Sequence, residues 1–382
     1  MENCAENRSE RISLNNVVMN LDAIDVSELI GKKIICPREC GLCCLCQPEI
    51  LPEERNYFRT KHSRSLVKSN DHFALAMKKG RGSCVFLDNE RRCSIYDNRP
   101  TYCKQFPIHF HVSDRIKAEL DLSCRGAWYN DGISAETEAK ELASRSSMRL
   151  TSALREATSV YNEFFDLCKE AGVYAERTEL RSSVSENLTK FTDLNYIAKV
   201  MDSSLEEPCV SLNEITPDAK MNMDELNEAA MEAALGSMQS NDPLNVPVYC
   251  DKEWKWNLFM VKKNVIEWST LDNNGDIFVK GTADPNEISL PSLDADAKSV
   301  LQNYISTLNQ RDSMMGSAFH TLDSLDYEDD MSNVYYGSLS VAIIDLMWRS
   351  SMINTFFKTG TGAESIKKQL SFTIWTVLMR PL

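Results

Sequence analysis

The chain has 382 residues, long enough for two or three modules each burying its own core, and its 43% hydrophobic and 26% charged residues are ordinary for a globular protein. A formal charge of -14 excludes a general nucleic-acid binder, because neutralising phosphates takes a basic surface. The most apolar stretch, 341–348, contains Asp345 and is too short to cross a bilayer, so no membrane span is expected.

Residues 1–32 read as a polar lead-in with a weak helical pattern near Val26–Ile30. Residues 33–130 form a cysteine-rich module broken by Pro37, Pro48, Pro52, Pro100 and Pro107. Such a segment makes few long elements, and a bound metal would be its natural organiser. Within it, 53–79 is predicted helical, and the alternation over 106–112 predicts a strand. Residues 131–202 read as helical, beginning with a long helix from Ser134 that carries Glu136 and Glu138 in its first turn. Leu150, Leu154, Ala157, Tyr161, Phe164 and Cys168 share one face, and Gly172 ends the helix. One or two further helices follow within 179–200.

Residues 203–245 turn acidic and Met-rich and read as a linker holding a short helix at 223–235. Residues 246–382 read as a small β element plus C-terminal helices. Over 254–280 aromatic and β-branched residues dominate, and Asn274-Gly275 predicts a two-residue hairpin turn. Asp272, Asn274 and Asp276 lack the remainder of a calcium loop. Val300, Leu301, Tyr304, Ile305 and Leu308 share a helical face, and two more apolar helices are predicted within 338–358 and 363–379. The expected fold is α+β and mostly helical: an irregular Cys-rich metal-binding module followed by a helical region with a small β-hairpin element.

The strongest chemical signal is cysteine spacing. The N-terminus has no apolar signal-peptide core, so a cytoplasmic protein is expected, in which thirteen cysteines stay reduced and close spacing points to metal or redox chemistry. The first group is Cys36-x3-Cys40-Gly41-x-Cys43-Cys44, with Cys46 two residues on, and the second is Cys84, Cys93 and Cys103, followed by Cys124. Thiolates two or three residues apart can turn toward one ion or cluster, and Gly41 removes a Cβ where the backbone folds tightly. Adjacent Cys43 and Cys44 would point apart in an extended segment, so one of them would serve a second centre or pack. Scattered Cys168, Cys209 and Cys250 read as buried small hydrophobes.

The run from Cys36 to Cys44, then Cys84-Val-Phe-Leu, Cys93-Ser-Ile-Tyr96, Arg99-Pro100-x-x-Cys103 and Phe106-Pro107 resembles the YkgJ-like cysteine-cluster family over about residues 33–128. The resemblance implies a zinc- or iron-chelating domain whose ligand pool is Cys36, Cys40, Cys43, Cys44, Cys84, Cys93, Cys103 and Cys124. It also fixes Arg99 between Tyr96 and Cys103, and Tyr96 and Phe106, with Phe86 and Leu87, are expected to wall the site from water. A three-residue spacing between Cys36 and Cys40, where the family has two, is a departure. The chain is also similar in length and layout to the flagellin lysine N-methylases, which would imply S-adenosylmethionine and a methyltransferase activity. No Gly-rich strand-to-helix turn for that cofactor is legible.

All-sulfur ligation suits zinc or a [4Fe–4S] cluster, and the cluster is preferred. Residues 31–130 carry 18 Lys/Arg against 11 Asp/Glu, a net +7 that leaves -21 for the rest of the chain. That basic charge would offset an anionic cluster, through Arg38, Arg81, Arg91, Arg92, Arg99 or Lys104, or else dock the acidic remainder. His109 and His111 share a strand face and would ligate metal, carry a proton, or form a polar face. The expected function is a metal-binding protein with a structural or electron-transfer cluster. The alternatives are a methyltransferase, or a zinc-stabilised module in which the acidic 203–242 stretch meets a basic protein partner.

Overall fold

The computed structural model describes residues 24–69, 72–206, 211–213, 215, 220–240, 245–358, 360 and 362. Most of the polar lead-in, Cys209 and the helix expected within 363–379 lie outside the described residues. The architecture is α+β and mostly helical, as the sequence patterns predict.

The first part is made of short pieces. In chain order they are β1 (Ile24–Asp25), β2 (Lys33–Ile34), β3 (Glu49–Ile50), α1 (Arg55–Lys61), β4 (Leu66–Ser69), β5 (His72–Leu75), α2 (Thr101–Gln105), β6 (Ile108–Val112), β7 (Ile116–Leu120), α3 (Arg125–Trp128) and β8 (Ile133–Ser134). They pair into three small sheets ordered β1-β7-β6, β3-β5-β4 and β2-β8. The helix predicted over 53–79 stops at Lys61; from Leu66 the chain runs instead as the antiparallel pair β4 and β5. Apolar Phe58 and Leu75 meet Ile50, Met77 and Cys84 in one small core, so burial beside the cysteines wins over helical continuation. The strand predicted over 106–112 is β6, entered through a cis Phe106–Pro107 bond and paired antiparallel with β7.

Helix α4 (Ala135–Arg145) starts where Ser134 Oγ accepts the Thr137 amide. The single long helix predicted there is broken at Ser146, and α5 (Ser147–Ala171) carries on to the left-handed Gly172. Then come α6 (Arg177–Glu186), α7 (Leu194–Glu206) and α8 (Met223–Gly236). Helix α8, expected as part of a linker, puts Leu226, Ala230 and Ala234 into the main core and packs on α11 (Met331–Phe357). Helices α9 (Ala295–Gln310) and α10 (Asp312–Ser324) complete the layer. Every residue from Ile343 to Ile353 is buried, the signature of a helix surrounded on all sides there.

The small β element is larger than a hairpin. Strands β9 (Val248–Cys250), β10 (Trp256–Lys262), β11 (Val265–Leu271) and β12 (Ile277–Ala283) form an antiparallel sheet ordered β12-β11-β10-β9. Asn274-Gly275 does lie in a hairpin turn, but the loop has three residues, closed by Asp272 and Asp276 and ended by left-handed Gly275. The two-residue turn is Lys263-Asn264, both at positive φ, between β10 and β11.

Candidate metal centre

The first cysteine loop is built around Gly41. At φ +57 it turns the chain into the single 3-10 turn Leu42–Leu45, which carries Cys43 and Cys44. In that turn the adjacent thiols do not point apart; they lie together and act on one another. The second loop is tied directly to the first, since the Cys84 amide donates to the Cys44 carbonyl at 2.7 Å. From Cys84 the chain forms a tight turned-back segment in which Leu87 bridges Cys93 and Ser94 N donates to Phe86 O. Cys103 sits on α2, whose start is held by Glu54: its carboxylate accepts from the Thr101 amide at 2.8 Å and the Thr101 hydroxyl at 2.9 Å. Cys124 precedes α3, where a Cβ on Gly126 would stand 1.7 Å from the Ile35 carbonyl oxygen, so only glycine lets the strand before Cys36 lie there.

These loops bring the predicted ligands together as an interacting set. Around Cys43 stand Cys36, Cys44, Cys84, Cys93 and Cys103, each sensing its charge. Burial pushes Cys84 up to about 11 and raises Cys93 and Cys103. Desolvation and the neighbouring Cys43 and Cys40 thiols hold Cys36 at about 11. The bond from Cys44 favours the Cys43 thiolate against burial and lowers its pKa, while Cys44 is raised correspondingly. The Arg99 guanidinium favours the anionic form of Cys36, Cys43, Cys93 and Cys103. Cys46 is raised to about 11 by burial and by the charges of Cys43 and Asp121.

Cys40, which acts on both Cys36 and Cys43, also meets a thiol from outside the module. Its partner thiol is Cys250 of β9, and Arg125 and Arg91 flank the pair; the bond from Cys250 takes Cys40 down to about 7. Cys124 senses Cys40 and Asp121 and is raised by burial. Among the described residues, no three His, Cys, Asp or Glu side chains stand close enough together to enclose one ion as placed. The donor chemistry nonetheless fits a thiophilic metal: the neighbours of Cys43 are thiols from four chain segments, with a guanidinium to balance their charge.

The other predicted residues divide. Arg99 lies over the Tyr96 ring at 3.9 Å, with its Nε donating to the Tyr96 carbonyl at 3.0 Å and Nη1 to that of Cys103 at 3.4 Å. Tyr96 is 46% exposed, so it backs Arg99 and does not wall the site from water. Phe106 is half-buried beside His109, and Leu87 is buried under Gly41. His109 is held by buried Asp121 at 3.1 Å, and Asp121 also accepts from the Ser123 amide and hydroxyl. His111 faces Gly316 and Tyr161, away from the cysteines. Arg38 and Arg92 line an open cleft with Glu39, Glu90 and Trp254.

Some of the basic residues dock the rest of the chain. Lys79 pairs with Asp276, Arg115 with Asp312, and Arg91 stacks on Trp256 at 3.9 Å while donating to the Trp254 carbonyl and to Asn273. Gly82 lies against the Asn273–Gly275 loop, where a Cβ would come within 2.5 Å of the Asn274 carbonyl carbon. Cys168 and Cys250, expected as buried small hydrophobes, are both fully buried, and Cys250 in addition lies beside Cys40.

No helix among the described residues is long and apolar enough to cross a membrane. No curated protein and no solved structure matches the chain, so the resemblance to flagellin lysine N-methylases finds no support there. Residues 35–125 match the family model CxxCxxCC, described as "Putative zinc- or iron-chelating domain", so over this segment the chain is similar to the YkgJ-like cysteine-cluster family.

Proposed function

We propose that residues 35–125 hold an iron–sulfur cluster of the [4Fe–4S] type in a reducing cytoplasm, with a structural or electron-transfer role. The observation that carries this reading is the thiol set around Cys43, drawn from the loops at Cys36–Cys44, Cys84, Cys93 and Cys103 with Arg99 among them. A [4Fe–4S] cluster would be held by one thiolate on each iron, and these thiols come from separate segments. Such a cluster with four thiolates is anionic, and Arg99, backed by Tyr96, supplies fixed positive charge beside it. The cluster would supply one-electron chemistry; the chain supplies thiolates, charge balance and shielding. Zinc is the second reading, favoured by the Cys43–Cys44 contact within one turn, which brings two donors to one point.

Anaerobic purification followed by a visible spectrum and metal analysis of one sample separates them. Broad absorption near ~400 nm with about four irons per chain supports the cluster. A colourless protein with one or two zincs per chain overturns it in favour of a structural site. Cys93→Ser is expected to lose metal under either reading, and full metal retention would remove Cys93 from the centre.

A further inference from the structure

Cys250 lies in β9, far outside the family-matched residues 35–125, and is fully buried. Its position is fixed from two sides. It pairs across the sheet with Trp256, whose indole Nε1 donates to the Cys40 carbonyl at 2.9 Å. Its own carbonyl accepts from Arg125 Nη1 at 2.8 Å, and Arg125 directly follows Cys124. Cys40, Leu87, Trp256 and Cys250 share one buried cluster, which brings the thiols of Cys40 and Cys250 together. Gly41 makes this approach possible, since a Cβ there would already stand 3.1 Å from the Trp256 ring.

Plain packing does not account for this arrangement. Two small apolar residues would fill the same space without half-buried guanidinium groups beside them. Arg125 bonds the Cys250 carbonyl and Arg91 stacks on Trp256, the cross-strand neighbour of Cys250, so two guanidinium groups are fixed beside the place where the two thiols meet. A redox pair exchanging with outside disulfides would need access that a fully buried Cys250 does not give.

We propose that Cys250 is a metal ligand of this protein, acting beside Cys40, so that the centre is completed by a thiolate from outside the cysteine-cluster module. The inference rests on the metal-binding reading above. It makes metal uptake a link between the module and the β9–β12 sheet.

The test uses the full chain purified anaerobically, as wild type, Cys250→Ala, Cys250→Ser and Cys168→Ala, with metal per chain read by elemental analysis before and after graded chelator. Cys168 is buried on α5 away from the cluster and serves as the control. The expected result is wild-type metal content in Cys168→Ala and at least about tenfold easier loss to chelator in both Cys250 variants. Should the variants fail to fold, alkylation mapping of the wild type decides: Cys250 should become reactive in step with Cys40 as chelator removes metal. Folded Cys250 variants that retain metal like wild type, or Cys250 reactivity indifferent to metal, would overturn the inference while leaving the metal-binding reading intact. A wild type with no bound metal would instead remove the reading on which it rests.

Discussion

Gly41 shows how one residue couples backbone to chemistry. Its left-handed conformation turns the chain between Cys40, which meets Cys250, and Cys43, which meets Cys44. An added Cβ would press on Leu87 Cδ2 and Trp256 Cζ2, both at 3.1 Å. Gly41→Ala should therefore cost about 1–2 kcal/mol from the backbone alone and displace both cysteines. Thermal unfolding together with metal content checks this; an unchanged melting temperature at full metal content would show that the turn tolerates a side chain. The tight turn at Gly41 was legible because the close spacing of Cys36, Cys40, Cys43 and Cys44 along the chain is itself geometry. The exposed Tyr96 and the contact of Cys250 with Cys40 were not, since both depend on where distant segments dock. The contact between Cys43 and Cys44 was hidden by a 3-10 turn too short to leave a periodic signal.

At the scale of elements, the start of α10 is a junction. Asp312 is 3% exposed and accepts from Arg115 Nε at 2.6 Å and Nη2 at 2.7 Å, and from Arg181 Nη2 at 2.7 Å. Burial opposes its charge, but bonds and charge from Arg115 and Arg181 prevail and hold the carboxyl well below the usual range. A depressed folded pKa means that the stabilisation is complete above the unfolded value near ~3.9 and fades as pH falls toward the folded one. Asp312→Asn should cost about 3 kcal/mol at neutral pH, because two guanidinium groups lose their counter-ion. The gap between variant and wild type should narrow as pH drops below ~4. Urea unfolding at neutral and acid pH measures both, and a gap independent of pH would assign the cost to packing instead. Helix α10 itself was not predicted, whereas α5 and α9 were, because their apolar stripes are continuous. The Lys263-Asn264 turn was unreadable, as neither residue is the glycine that such turns favour.

Over the whole molecule, apolar burial is unequal. The main core gathers α5 to α11 and one face of the β9–β12 sheet. The cysteine loops rest on two small clusters, one of them shared with that sheet through Trp256, Leu258 and Cys250. The helical half therefore has the hydrophobic means to fold around its own centre, while the module leans on the sheet and on whatever its thiols hold. Removing metal with a chelator under reducing conditions should loosen residues 36–46 and 84–103 first. Amide hydrogen exchange would show protection falling there and along β9, while α7, α8 and α11 keep theirs. A thermal scan of the stripped protein should gain an early transition that the loaded protein lacks. The alternating basic and acidic contacts across the junction, Lys79 with Asp276 and Arg115 with Asp312, would still hold the module near the sheet, so loosening without separation is expected. Equal exchange in stripped and loaded protein would mean that packing alone organises the cysteine loops, and the metal would then be a passenger on a fold already complete.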